Sequence, residues 1–238
     1  MKQWGFNEVE HFEASHDWDI DTQGFFASND KRSLIVFRGT DSKKDWRTNL
    51  QFSKEPGPFN GSFVHKGIQE AFFHVALDIG RLLERHHTDN KELWLAGHSL
   101  GGALSVILAA YLLKRDIQID GLYTYAAPRI GDEVFSRTLD EKLPGLHIRI
   151  VNENDVVPYL PLEALFTHSG TLVMLTETGE NLVDVDPGVF NSLKQNVMQL
   201  FRKSDDVSEN PFIDYHMLWT KNGYVNKLLE DLKAPFRR

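Results

Sequence analysis

A serine between glycines, at the junction of two apolar runs, constrains this chain more than any other feature. Residues 97 to 101 read Gly-His-Ser-Leu-Gly, directly after the run 92–97 and before the run 99–114. The first run has the length and composition of a buried strand, and the second those of a buried helix. Flanking glycines permit a sharp turn where a Cβ would collide with neighbouring elements. The segment predicts a serine at the tip of a strained strand-to-helix turn.

Strands and helices alternate along most of the chain. The predicted strands are 23–28, 33–38, 92–97, 121–126, 147–152 and 171–175, and the predicted helices are 65–86, 99–114 and 131–142. Such alternation is typical of a mostly parallel sheet with helices on both faces. A length of 238 residues is ordinary for one α/β domain, so we predict a single domain over residues 1–238. Val189 to Lys203 forms a further amphipathic stretch, either core or cap.

Composition argues against several classes of function. Lys and Arg number 26 against 34 Asp and Glu, which gives a net charge of −8, and no basic run interleaves with aromatic residues. Nucleic acid is therefore not an expected partner. The chain has no cysteine, so it has no disulfide, thiolate metal site or cysteine nucleophile. Its ten histidines show no paired metal-ligand spacing, and we expect neither a metal nor another cofactor.

The amino terminus and the apolar runs bear on targeting and membrane insertion. Residues 1–10 lack the apolar stretch and cleavage site of a signal peptide, which predicts either a cytoplasmic protein or a processed exported form. The longest apolar run, Ala103 to Leu113, is about half the length that spans a bilayer, so we expect no transmembrane segment. The sequence does not predict an oligomeric state.

The strand–turn–helix setting of Ser99 indicates nucleophilic catalysis in an α/β-hydrolase fold. A serine hydroxyl needs a histidine to take its proton and a carboxylate to orient that histidine. In this fold the chain order is serine, acid, histidine. Asp155 is the best acid, because it follows the strand 147–152 and begins a turn closed by Pro158. Asp184 and Asp186, in a polar loop, remain substitutes.

Three histidines follow Ser99. His147 precedes Asp155 and so has the wrong order, which leaves His168 and His216. His168 lies 13 residues after Asp155, where a structural, hydrogen-bonded histidine is the plainer interpretation. His216 lies in a late loop before a predicted helix, which suits a base delivered from above the sheet. We favour His216.

An oxyanion requires two backbone donors beside the serine. The N–H of Leu100 is the expected first donor, because the helix begins at this point and its first N–H groups lack partners. The second donor is expected in the loop after the early central strand, where Thr40 follows Gly39. The Thr40 hydroxyl would add a second hydrogen bond.

Taken together, these segments resemble the class 3, fungal-type lipase family of α/β hydrolases. Residues 34–40 are similar to its oxyanion strand, and residues 97–104 match its nucleophile turn almost letter for letter. Residues 125–131, 154–161 and 215–219 complete a resemblance that runs from about Gly24 to Tyr224. It implies Ser99, Asp155 and His216 as a catalytic triad, with Thr40 and Leu100 as the oxyanion hole.

The resemblance also implies a substrate class: acylglycerols or similar carboxylic esters, met at a lipid–water interface. The segment 41–54 corresponds to the family's lid, but its charged residues predict weak interfacial activation; among them are Asp41, Lys43, Lys44, Asp45 and Arg47. A short-chain or feruloyl-type esterase or a phospholipase would use the same triad. A non-catalytic lipid-binding module is the alternative from another class.

Overall fold

A computed structural model describes residues 1–14, 22–39, 53–161, 165–177, 181–184, 215–220 and 222–233. The strands in these ranges are β1 (Glu8–Glu13), β2 (Gln23–Ser28), β3 (Arg32–Phe37), β4 (Lys54–Pro56), β5 (Phe63–His65), β6 (Glu92–His98), β7 (Gly121–Tyr125), β8 (His147–Asn152), β9 (Thr171–Leu175) and β10 (Leu182–Val183). The helices are α1 (Lys66–His86), α2 (Leu100–Lys114), α3 (Glu133–Lys142) and α4 (Tyr224–Lys233). Short 3-10 turns occupy Lys2–Trp4 and Val157–Tyr159.

Eight strands form one sheet in the order β1-β2-β3-β6-β7-β8-β9-β10. The five central strands, from β3 to β9 in that order, run parallel, whereas β1, β2 and β10 pair antiparallel at the edges. Strands β4 and β5 form a separate hairpin. The predicted mostly parallel sheet is confirmed. Because its strands are parallel, β3, β6, β7 and β8 all end at one edge.

Local chemistry fixes where two helices begin. His65 precedes α1, and its Nδ1 accepts from the N–H of Ile68 at 3.4 Å. Asp132 precedes α3, and its side chain accepts from the N–H of Phe135 at 2.9 Å. Side-chain acceptors at these positions satisfy backbone donors that a helix leaves open. The helix predicted from Gly131 therefore starts two residues later.

The two faces of the sheet pack differently. Alternate residues of β6 point to opposite faces of the sheet. Leu93 and Leu95 lie on the face that packs against α1, α2 and α3, called the α1–α3 face below, and both are fully buried. Trp94 and Ala96, on the other face, are only half-buried. Helix α4 packs on that second face, where Tyr224 and Leu228 contact the ends of β7, β8 and β9. Helices thus lie on both faces, as expected.

Candidate active site

Ser99 lies between β6 and α2 in the backbone conformation that the sequence predicts. Its φ and ψ angles are 56° and −127°, a region that residues with a Cβ rarely adopt. Its N–H donates to the carbonyl of Tyr125 at 2.9 Å, which ties the turn to the end of β7. The side chain therefore projects at the carboxyl edge of the sheet, with 5% of the residue exposed.

Small residues around Ser99 make this turn possible. A Cβ on Gly97 would overlap the carbonyl of Gly101, and a Cβ on Gly101 would lie 2.5 Å from the carbonyl oxygen of Phe37. Real Cβ atoms do not approach backbone oxygens so closely. The turn therefore requires glycine at both positions.

Asp155 begins the turn that follows β8. It is fully buried, and its N–H donates to the carbonyl of Asn152 at 2.9 Å. Its Oδ1 accepts from the N–H of Val157 at 2.9 Å. Such local bonds are typical of aspartate turns, and here they aim the carboxylate toward the end of β6.

His216 joins the serine and the aspartate. Ser99 Oγ donates to His216 Nε2 at 2.9 Å. The opposite ring nitrogen, Nδ1, lies 2.9 Å from Asp155 Oδ2 and 3.1 Å from Oδ1. Since an ionised carboxylate only accepts, Nδ1 holds the proton and Nε2 faces the serine as an acceptor. This is the tautomer that a general base for Ser99 requires.

The other histidines and aspartates considered as base or acid have different partners. His168 is half-buried and donates through Nε2 to the carbonyl of Pro158 at 2.6 Å, and desolvation of its ring lowers its pKa well below the usual value. His147 lies between the hydroxyls of Thr124 and Ser169, and burial lowers its pKa to about 3. Asp184 accepts from the N–H of Leu172 at 3.1 Å, next to β9. Asp186 lies outside the described residues.

Two sequence motifs bear on the oxyanion hole. Helix α2 begins at Leu100, so its N–H belongs to the first helical turn beside Ser99. Gly39 lies against the serine, since a Cβ there would be 3.2 Å from Ser99 Cβ. Thr40, the lid residues 41–52 and the stretch Val189 to Lys203 lie outside the described residues.

Three polar side chains that local sequence motifs do not indicate support the His216 loop and Asp155. His98 donates through Nε2 to the carbonyl of His216 at 2.8 Å, and Asn152 Nδ2 donates to the carbonyls of Tyr215 and Asn222. Tyr224 donates to Asp155 Oδ2 at 2.7 Å. These contacts join residues 63 to 118 positions apart, so no local pattern indicates them.

Burial keeps the pKa values of two of these groups away from physiological pH. Burial, followed by the charge of the neighbouring His216, lowers the pKa of His98 to about 4. The ring is thus neutral at pH 7, with its proton on the nitrogen that donates to the His216 carbonyl. Burial and the Asp155 charge raise the pKa of Tyr224 well above its usual value, so its hydroxyl stays protonated.

A cavity of about 610 Å³ lies between the second sheet face and α4. It begins at Gly39 and His98, beside the serine turn. Its walls are mainly apolar and include Phe25, Val36, Ala96, Leu218, Val225 and Leu228.

Neither a metal cluster nor a membrane-spanning helix is found in the part of the chain that the structure describes. Within it, no three His, Asp or Glu side chains gather where they could hold a metal ion. No described helix combines the length and apolar character needed to cross a bilayer.

Comparison with known proteins places these features in a family. The family model Lipase (class 3) matches residues 34–165, more than half of the chain. This chain belongs to the class 3 lipase family. The predicted family is confirmed, and the model includes the strand before Thr40, the serine turn and Asp155.

Individual class 3 lipases extend the likeness. A lipase of Rhizomucor miehei is 32% identical over 74% of this chain and 53% of its own length. A secreted mono- and diacylglycerol lipase of Fusarium solani is 34% identical over 55% of this chain and 40% of its own length. This chain spans about half the length of the curated relatives it matches.

The fold of this chain is also similar to that of a solved lipase. A solved triacylglycerol lipase, described as having a serine protease triad at its catalytic centre, superimposes with a TM-score of 0.65. That likeness covers 78% of this chain and 76% of the other, at 28% identity. The predicted α/β-hydrolase fold is thereby confirmed.

Proposed function

We propose that this chain is a serine carboxylic ester hydrolase that acts on acylglycerols through an acyl-enzyme. One observation supports this above the others: Ser99, His216 and Asp155 form a continuous row of hydrogen bonds of 2.9 Å each. The roles follow from the geometry. Ser99 is the nucleophile, His216 the general base and Asp155 the residue that orients it.

In the first half of the reaction, Ser99 Oγ attacks the ester carbonyl while His216 Nε2 takes its proton. The charge that develops on the carbonyl oxygen is stabilised by the N–H of Leu100 and, in this proposal, by the N–H of Thr40. Each such donor is typically worth about 3 kcal/mol. His216 then gives its proton to the leaving alcohol, which departs and leaves an acyl ester on Ser99.

In the second half, a water molecule replaces the alcohol. His216 takes a proton from the water as the oxygen attacks the acyl carbonyl. Collapse of the second tetrahedral intermediate breaks the bond to Ser99 Oγ, and His216 returns the proton to the serine. The products are a carboxylic acid and the free enzyme, so no cofactor is required.

Acylglycerols are the proposed substrates, because the relatives are named lipases and the site's rim is apolar. Met217 and Trp219 follow His216 closely and are 39% and 75% exposed. Exposed large apolar groups beside an active site favour contact with a lipid surface. We propose that these two side chains meet the lipid–water interface.

An exported form is proposed for the location of this protein. The Fusarium relative is named a secreted protein, which supports an exported address over a cytoplasmic one. Fractionation of producing cells, followed by immunodetection in medium and cytosol, tests this proposal. Recovery in the cytosol alone would contradict it.

Replacement of Ser99 tests the proposed function. Ser99→Ala is expected to lower turnover of p-nitrophenyl butyrate about a millionfold, because the triad acts as a unit. An organophosphonate should label the wild-type peptide containing Ser99 and leave the variant unlabelled. Ser136→Ala is the matched control, since this buried α3 residue donates its hydroxyl proton to the Thr167 carbonyl and should not affect labelling.

Two further results separate the alternatives. Hydrolysis of emulsified long-chain triglyceride distinguishes a lipase from a short-chain esterase, which would act on the soluble ester alone. A wild-type protein with neither turnover nor labelling would contradict the hydrolase proposal and favour a lipid-binding module.

A further inference from the structure

Tyr224 connects the last helix to the buried carboxylate. It is fully buried at the start of α4, and its hydroxyl lies 2.7 Å from Asp155 Oδ2 and 2.9 Å from the backbone nitrogen of Asn152. A backbone N–H can only donate, so the Tyr224 oxygen accepts from Asn152. Its own proton is then directed to Asp155.

The surroundings hold the Tyr224 ring in this position. The rings of His98 and Tyr125 pack edge-on against it, with centroids 6.0 and 6.5 Å away. The hydroxyl is fixed by a backbone group of β8, whose end also precedes Asp155. Rotation of the phenol away from the carboxylate would break both of these hydrogen bonds.

Asp155 consequently receives three kinds of donor. The N–H of Val157 binds Oδ1, the Tyr224 hydroxyl binds Oδ2, and His216 Nδ1 lies within 3.1 Å of both oxygens. A fully buried carboxylate is costly unless such donors surround it. The two donors other than His216 also prevent the carboxylate from turning away from the imidazole.

We propose that Tyr224 is a positioning residue of the hydrolase: its hydroxyl holds the Asp155 carboxylate in the orientation that faces His216. The proposal rests on the proposed function for its effect on catalysis. Tyr224 acts through Asp155 and does not contact the reacting atoms. It also makes α4 part of the active-site support, since the residue lies in the first turn of that helix.

Tyr224→Phe removes the hydroxyl alone and tests the proposal. We expect kcat to fall about ten-fold, with KM nearly unchanged, because a hydrogen bond to a charged group is lost. The acidic limb of the kcat/KM profile should move to higher pH, since a carboxylate with one donor fewer stabilises the imidazolium more strongly.

Tyr111→Phe is the matched control for a purely structural loss. The Tyr111 hydroxyl donates to Gln69 Oε1 at 3.0 Å, on the α1–α2 side of the sheet. This variant should lose stability without a change in kcat or in the acidic limb. If Tyr224→Phe behaves in the same way, the positioning role is overturned.

A second measurement does not depend on activity. Carbon-13 NMR of the Asp155 carboxyl group at neutral pH reports the hydrogen bonds that this group accepts. Its resonance should shift in Tyr224→Phe and shift the opposite way when 3-fluorotyrosine, a stronger hydrogen-bond donor, replaces Tyr224, whereas Tyr111→Phe should leave it unchanged. An unchanged resonance in folded Tyr224→Phe overturns the proposal. An inactive wild type with the expected shifts would contradict the proposed function alone.

Discussion

The two faces of the sheet differ in how they use polar groups. On the α1–α3 face, polar side chains such as the buried His147 and the half-buried His168 bond to neighbours away from Ser99. On the α4 face, polar side chains at the strand ends connect β6, β8 and the His216 loop into one network that ends at Ser99. The face with the less complete packing holds the chemistry, since reacting groups there must meet a substrate.

Two histidines show what this difference means for reactivity. Both follow Asp155, and both are hydrogen-bonded. His168 donates its Nε2 proton to the Pro158 carbonyl, whereas His216 keeps Nε2 toward Ser99. Both residues are half-buried, so the partner of Nε2 makes the difference. A ring that donates to a backbone carbonyl serves structure, and a ring whose nitrogen accepts from the serine serves proton transfer.

The largest difference is expected when each of these two histidines is replaced separately. His216→Ala should lower kcat on p-nitrophenyl butyrate about a millionfold, because the serine loses its proton acceptor. His168→Gln should retain kcat within a few-fold, since glutamine can still donate to the Pro158 carbonyl. The reverse result would show that His168, and not His216, is the general base.

Much of the fold could be predicted, because the α1–α3 face follows simple periodicity. Strands such as His147–Asn152 and Thr171–Leu175 have the predicted bounds, and Leu93 and Leu95 alternate with less buried neighbours as a strand requires. Strand β1 was missed, because an edge strand with Phe12 as its one buried residue has little apolar signal. The short hairpin β4–β5 has even less apolar signal in the sequence.

The candidate site was predicted in part. Ser99, Asp155 and His216, which the structure brings together, were indicated by local motifs and by their order along the chain. His98, Asn152 and Tyr224 were not, because their roles arise from contacts made only when α4 and the His216 loop pack on the sheet. Periodicity describes one element at a time and contains no information on such contacts.

A comparison of core deletions tests the difference in packing. Leu95→Ala should lower the free energy of unfolding by about 2 to 5 kcal/mol, because Leu95 is fully buried on the α1–α3 face. Leu228→Ala should cost only about 1 kcal/mol, because Leu228 is half-buried and already borders the 610 Å³ cavity. Urea denaturation measures both. Equal losses would mean that the α4 face packs as tightly as the other.

The dependence of stability on pH involves both faces. Burial lowers the pKa of His147 to about 3 and that of His98 to about 4, whereas the unfolded chain binds these protons near pH 6.5. As pH falls below 6.5, the unfolded state therefore takes up protons that the folded state does not. Each such histidine should lower the free energy of unfolding by about 1.4 kcal/mol per pH unit.

Urea denaturation at pH 7.5, 6 and 5 checks this expectation, and single variants assign it to a face. His147→Asn should flatten the pH dependence by removing one proton site on the α1–α3 face, whatever it does to stability at pH 7.5. His98→Asn should flatten it equally, even though His98 belongs to the other face. If His98→Asn leaves the slope of unfolding free energy against pH unchanged, His98 is protonated in the folded protein. Water would then reach the α4 face more freely than the structure indicates, and the two faces would differ more in hydration.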